Sequence, residues 1–262
     1  GDGSFHAGVA YNRVYPTTSV QAADFSGDGT LDLASTASDS DNAANVQVMF
    51  GYGDGRFQND TQLPAGTLPI SIATADFNHD GNADFIVANN YVTGPSISEI
   101  LGNGPGAYFN TITIPTAKAS NGVATGDFNL DGKADFAITN LSNVSVYIGN
   151  LFGTFQSPVS YPTLFGSGAI AVADLNKDGK PDIVWRNTAT GQNAVWLMNG
   201  SSLASIVDLP ALPNVSYVIG GSGDFDGDGQ PDIVWRNVTT GQNAVWLMNG
   251  TSLKSIVDLP AL

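Results

Sequence analysis

The stretch DFSGDGTLD, Asp24 to Asp32, recurs four times: DFNHDGNAD from Asp76 to Asp84, DFNLDGKAD from Asp127 to Asp135, DLNKDGKPD from Asp174 to Asp182 and DFDGDGQPD from Asp224 to Asp232. The starts are 52, 51, 47 and 50 residues apart. A pattern Asp-x-x-x-Asp-Gly-x-x-Asp held at one period over the whole chain is the mark of a repeat architecture. A second marker runs in phase, ending at Phe5, Phe57, Phe109, Phe155, Leu203 and Leu253. Each copy reads as a Gly-bearing hairpin turn followed by a strand. Residues 181–212 and 231–262 agree at 28 of 32 positions, as a recent tandem duplication of one unit would.

Four strands fit inside each period. The first enters the Asp loop and is rich in small residues (VQAADF, SIATADF, GVATGDF, AIAVADL, VIGGSGDF). The second leaves the loop as an apolar run, the third follows a turn, and the fourth follows the Gly turn, as in SLKSIVDL. Four strands in about 50 residues describe a propeller blade. The predicted fold is all-β: a single β-propeller region over 1–262, its repeats lying roughly at 12–62, 63–114, 115–160, 161–212 and 213–262. Residues 1–11 read as an orphan outer strand. Because Ser252 to Leu259 also reads as a fourth strand, both ends offer the same strand. The expectation is five visible blades of a larger propeller, with pairing to another copy, or displacement of one end strand by the other, as the alternatives.

The Asp loops specify a chemistry. Side-chain oxygens at positions 1, 3, 5 and 9, with a backbone carbonyl at position 7, form an oxygen cage suited to a hard cation. Gly at position 6 (Gly29, Gly81, Gly132, Gly179, Gly229) permits the positive φ of a sharp turn. Calcium takes six to eight oxygens in flexible geometry, whereas magnesium wants a tighter octahedron, and no Cys or well-placed His calls for a transition metal. Charge supports the reading. The chain carries −15, with 23 Asp and a single Glu among its 24 acidic residues. The loops hold 16 of these, and the other eight are matched by the nine basic residues. Three or four carboxylates in one turn repel unless a cation joins them.

At these residues the chain resembles the FG-GAP or VCBS repeats, the calcium-loop repeats of integrin α-subunit propellers and of many bacterial extracellular proteins. The resemblance implies about five Ca²⁺ sites and assigns their donors. In the first loop they are Asp24, Ser26, Asp28 and Asp32 with the carbonyl of Thr30; in the second, Asp76, Asn78, Asp80 and Asp84 with Asn82. The third has Asp127, Asn129, Asp131 and Asp135 with Lys133; the fourth, Asp174, Asn176, Asp178 and Asp182 with Lys180. The fifth has Asp224, Asp226, Asp228 and Asp232 with Gln230. Counting carboxylates ranks the fifth site tightest and the first, with Ser26, weakest. The GAP tripeptide is absent, which separates the chain from integrin-type ligand recognition.

Other chemistry is sparse. Two Trp pairs, Trp185 with Trp196 and Trp235 with Trp246, come with Arg186 and Arg236. They suit packing between blades, or a shelf on which a sugar ring could stack. His6 and His79 lie in no hydrolytic motif, and Glu99 has no visible acidic partner, so no enzyme activity is expected. Asn-x-Ser/Thr sequons occur at Asn59, Asn140, Asn143, Asn199, Asn214, Asn237 and Asn249. Such acidity disfavours nucleic acid, and no apolar run is long enough for membrane insertion as a helix. Zero Cys excludes a disulfide scaffold. The expected role is a calcium-binding, secreted or cell-surface propeller, an adhesion or protein-interaction scaffold with a protein or glycan ligand. The alternatives are a lectin-like propeller or an accessory domain of a carbohydrate-active enzyme.

Overall fold

The computed structural model describes residues 11, 17–38, 44–58, 61–91, 94, 96–163 and 166–259. Each repeat forms one four-stranded antiparallel sheet with its strands in chain order. Blade 1 is β1 (Thr17–Ala23), β2 (Asp32–Ser38), β3 (Ala44–Met49) and β4 (Thr61–Pro64). Blade 2 is β5 (Pro69–Ala75), β6 (Asp84–Asn89), β7 (Ser96–Ile100) and β8 (Ile112–Pro115). Blade 3 is β9 (Ser120–Gly126), β10 (Asp135–Asn140), β11 (Asn143–Tyr147) and β12 (Val159–Pro162). Blade 4 is β13 (Ser167–Ala173), β14 (Asp182–Asn187), β15 (Asn193–Asn199) and β16 (Ser202–Leu209). Blade 5 is β17 (Tyr217–Gly223), β18 (Asp232–Asn237), β19 (Asn243–Asn249) and β20 (Ser252–Leu259). The blades form a β-propeller. Of the N-terminal strand expected over 1–11, only Tyr11 lies within the described residues.

The inner strands β1, β5, β9, β13 and β17 line a common central cavity of about 1020 Å³. Small side chains let them crowd there, and hydroxyl and amide groups stitch neighbours together. Gln21 Nε2 donates to Ile72 O (3.1 Å), Thr125 Oγ1 to Thr74 O (3.3 Å) and Ser222 Oγ to Val172 O (3.0 Å). These bonds use main-chain carbonyls on strand edges that the four-stranded ladders leave unpaired. The second strands run between neighbours on both faces. In β6 and β10 every residue is buried, which explains their continuous apolar runs.

Apolar clusters fill four seams. Phe25, Val46, Val48 and Phe85 lie between blades 1 and 2, and Phe77, Ile97, Phe136 and Tyr147 between blades 2 and 3. Phe128, Val146, Ile183 and Trp196 lie between blades 3 and 4, and Leu175, Val195, Trp235 and Trp246 between blades 4 and 5. Among the described residues no cluster joins blade 5 to blade 1. The hairpin marker needs one correction. In blade 2 the residue bridging back to the Gly turn is Tyr108, opposite Gly102, as Phe57 faces Gly51 and Phe155 faces Gly149. The spacing from glycine to ring is the same in all three blades, so the aromatic at the shared position is Tyr108, which packs on Phe85 (5.5 Å), while Phe109 beyond it is exposed.

Candidate metal centre

Each Asp loop joins the first strand of a blade to the second, so all five sites sit at equivalent corners. The position-6 glycines all take positive φ, from 78° to 87°. Position 4 is left-handed too: Gly27 and Gly227 in loops one and five, but His79 (60°), Leu130 (58°) and Lys177 (59°) in the other three. Sequence reasoning missed this second reversal, because only two of the five loops place glycine there.

The reversals wrap the backbone around the position-1 carboxylate. Its oxygens accept from the amides of positions 5 and 6 in loops one to four. In loop one Asp28 N and Gly29 N donate to Asp24 (3.1 and 2.8 Å), and in loop three Asp131 N and Gly132 N donate to Asp127 (3.1 and 2.8 Å). In loop five Asp224 receives Gly227 N and Gly229 N, both at 2.8 Å. Position 5 accepts from the amide of position 7 in every loop, at 2.8 to 3.0 Å. Where position 3 is Asn, its side-chain NH₂ donates to the position-5 carboxylate, as Asn78 does to Asp80 (2.9 Å). Asn129 and Asn176 do the same to Asp131 and Asp178 (both 3.1 Å). Ser26 instead donates to Asp24 (3.3 Å).

Position 9 has a second task that its spacing did not reveal. Asp32, Asp84, Asp135, Asp182 and Asp232 are all fully buried. One oxygen accepts the amide of position 2 (Phe25, Phe77, Phe128, Leu175 or Phe225) at 2.8 to 3.1 Å. The other accepts an amide from the end of the third strand or just beyond it: Gly51, Gly102, Gly149, Met198 or Met248, at 2.7 to 3.1 Å. The closing aspartate therefore rivets three chain segments together.

The electrostatics divide the same way. At the exposed rim, the Gly29 amide holds Asp24 below its ordinary value, the Thr30 hydroxyl holds Asp28 down, and the Lys133 ammonium holds Asp131 down. Burial pushes Asp84 and Asp135 up to about 6, and raises Asp182 as well. A rim that favours anions around a buried acid that resists ionising is a setting in which a bound cation restores the buried charge. The donors are oxygens throughout, and in loop five Asp224, Asp226 and Asp232 bring ligand atoms within 4.8 Å of one another. These loop-five residues fit a hard divalent ion; among the described residues the three carboxylates of each other loop are not drawn as close together.

The Trp and Arg candidates lie elsewhere. Trp196, Trp235 and Trp246 are buried and Trp185 partly so, within the seams of the last two blades. Arg186 is buried. It donates to the carbonyls of Gly191, Leu212 and Asn214 and to Asn193 Oδ1, at 2.8 to 3.2 Å, and its guanidinium stands 5.4 Å from the Trp235 ring. Arg236 is exposed and reaches Asn243 Oδ1 at 3.4 Å. Glu99 is 1% exposed with Oε1 unpartnered, and burial pushes its pKa up to about 7. In register it faces Ile86, the place held by Val48, Val146, Val195 and Val245 in the other blades.

A family model for the FG-GAP-like repeat matches residues 24–87, 80–138, 127–185 and 175–235. No curated protein matches the chain. Among solved structures, an Agrocybe aegerita lectin with specific recognition of non-reducing terminal N-acetylglucosamine superposes with TM-score 0.62 at 18% identity, over 95% of this chain and 67% of the lectin. BBS1N, in complex with ARL6DN in a crystal soaked with lead, superposes with TM-score 0.54 at 14% identity, over 95% of this chain and 83% of BBS1N. At these identities the likeness is one of fold.

Proposed function

The chain belongs to the FG-GAP-like repeat family, and from that premise we propose that it is a calcium-binding, extracellular β-propeller region acting as an adhesion or protein-interaction scaffold. The observation that carries the calcium reading is the fivefold loop, an oxygen-only donor set closed by a fully buried aspartate. A calcium ion would be held by positions 1, 3, 5, 7 and 9 and would neutralise carboxylates that the turn forces together. Five ions would bring the net charge from −15 to −5. Sites of this kind fill at the millimolar calcium found outside cells. Because an ion would bind the folded loop and not the open chain, removal by chelator lowers the melting temperature by several degrees, and Ca²⁺ restores it better than Mg²⁺. An unchanged melting curve in excess chelator refutes the calcium reading.

The same reading takes these five blades as part of a larger propeller. Position 2 of the first four loops plugs into the following blade. Phe25, Phe77, Phe128 and Leu175 are buried there, but Phe225 is 54% exposed. The duplicated units repeat the contrast with identical residues. Arg186 and Leu209 are buried under blade 5, while Arg236 and Leu259 are exposed. Blade 5 thus presents the face that blade 4 uses to seat a neighbour of this repeat class.

A second reading, glycan binding, is favoured by the fold likeness to the N-acetylglucosamine-recognising lectin. It includes the accessory-domain role beside a carbohydrate-active enzyme. A glycan array with and without chelator decides: binding competed by a simple sugar supports this reading, and a blank array supports the protein-interaction scaffold.

A further inference from the structure

We infer that Lys254 is a tethered cation that competes with the metal at the fifth loop, making that site the weakest of the five rather than the tightest. The inference rests on the calcium reading above. Loop five has the most carboxylates, Asp224, Asp226, Asp228 and Asp232, and no basic residue among its nine. Loop four carries one carboxylate fewer, with Asn176 at position 3, and has Lys177 and Lys180 within it. The difference is made up from outside the loop. Lys254 Nζ, on β20, stands 3.0 Å from Asp226 Oδ2 and 3.0 Å from Asp228 Oδ2. These are positions 3 and 5, two of the side-chain donors.

The tandem duplication makes the point from the sequence as well. Units 181–212 and 231–262 differ at four positions, and one is Ala204 against Lys254. The extra carboxylate at Asp226, which precedes the duplicated stretch, and the extra ammonium at Lys254 fall in the same repeat, and the preceding repeat has Asn176 and Ala204 in their places. The contact differs from that of Lys133, whose ion pair is made within its own loop. Lys133 reaches Asp131 from two residues away and touches one carboxylate. Lys254 comes from 28 and 26 residues along the chain and holds two.

A calcium ion binds oxygen at 2.3–2.6 Å, so an ion and this ammonium on the same two carboxylates would stand within a few ångströms of each other. Like charges that close repel, and one must leave. Lys254 is the one that can: its side chain is 47% exposed and on a flexible stem. Loop five then fills last as calcium rises, with Lys254 swinging into solvent.

The test is isothermal titration of the metal-stripped full chain with CaCl₂, comparing wild type with Lys254→Gln and Lys254→Ala. Lys254 is exposed, so both variants fold. Two partly exposed ion pairs can account for a gain of roughly three- to tenfold in the affinity of the weakest binding event, with total stoichiometry unchanged. Adding Asp228→Asn to Lys254→Gln should weaken that event again, which assigns it to loop five. Superimposable isotherms with calcium bound overturn the role of Lys254 and leave the calcium reading standing. Absence of calcium binding in wild type and variants alike overturns the calcium reading, and this inference with it.

Discussion

Replacing Glu99 by Val should stabilise the protein, and by an amount that depends on pH in a defined way. Four blades place Val at this register position; blade 2 alone places a carboxyl there. The group lies in the seam between blades 2 and 3. The Gly153 backbone passes so close that a Cβ at that residue would meet Glu99 Oε1 at 3.0 Å. Burial, with a smaller push from the Asp84 charge, raises the carboxyl from 4.5 to about 7. The folded state therefore holds its proton more tightly than the unfolded chain does. Stability is undiminished below pH 4.5, where both states are protonated, and falls as pH rises through 7. At 1.36 kcal/mol per pH unit, the loss across that window is about 3 kcal/mol. Val has no such loss, so the difference between variant and wild type should grow by about 3 kcal/mol between pH 4.5 and 7.5. Asp84 and Asp135 titrate in the same range but are present in both proteins, so they largely cancel. The assay is urea unfolding followed by circular dichroism at fixed calcium across that range, with Glu99→Gln as a control that removes the titration and keeps the side-chain shape. A difference curve that is flat with pH for both variants refutes the argument.

Two further predictions follow from equivalent positions. Phe128→Ala should cost roughly 3–5 kcal/mol by opening a cavity in a filled seam, whereas Phe225→Ala, on the open face of blade 5, should cost less than about 1 kcal/mol; equal losses in melting experiments would mean that the fifth seam is filled. Leu130, half-exposed at φ 58°, holds a left-handed backbone that L residues adopt at a cost of about 1 kcal/mol, so Leu130→Gly should raise stability by several tenths of a kcal/mol despite the extra freedom of the unfolded chain. A lower melting temperature for that variant would refute the strain argument.

How much of this was legible in the sequence depends on whether a residue's role is local or borrowed from a neighbour. The Asp loops were readable because their turn is local: Gly at position 6 and alternating donors state a backbone path within nine residues. The strand count was readable because Ser252 to Leu259 and its counterparts carry strand residues between clear turns. The rivet made by Asp135 was not, because one of its partners, Gly149 N, lies 14 residues away and is fixed only when the third strand pairs. The one-residue offset from Phe109 to Tyr108 was hidden because two aromatics stand side by side after the turn, and only the pairing opposite Gly102 decides which of them packs inward. Lys254 was equally silent: nothing in SLKSIVDL points to loop five until β20 is laid across the blade. The duplicated units show the limit most sharply. Trp185 and Trp235, or Arg186 and Arg236, are the same residues in the same local sequence, yet Arg186 is sealed under a neighbouring blade and Arg236 is in solvent. No local rule can separate them, because the difference is the presence of the next repeat. In a propeller the unit of folding information is therefore the seam: each blade supplies half of it, and the sequence of one repeat acquires its meaning only against the face of the repeat beside it.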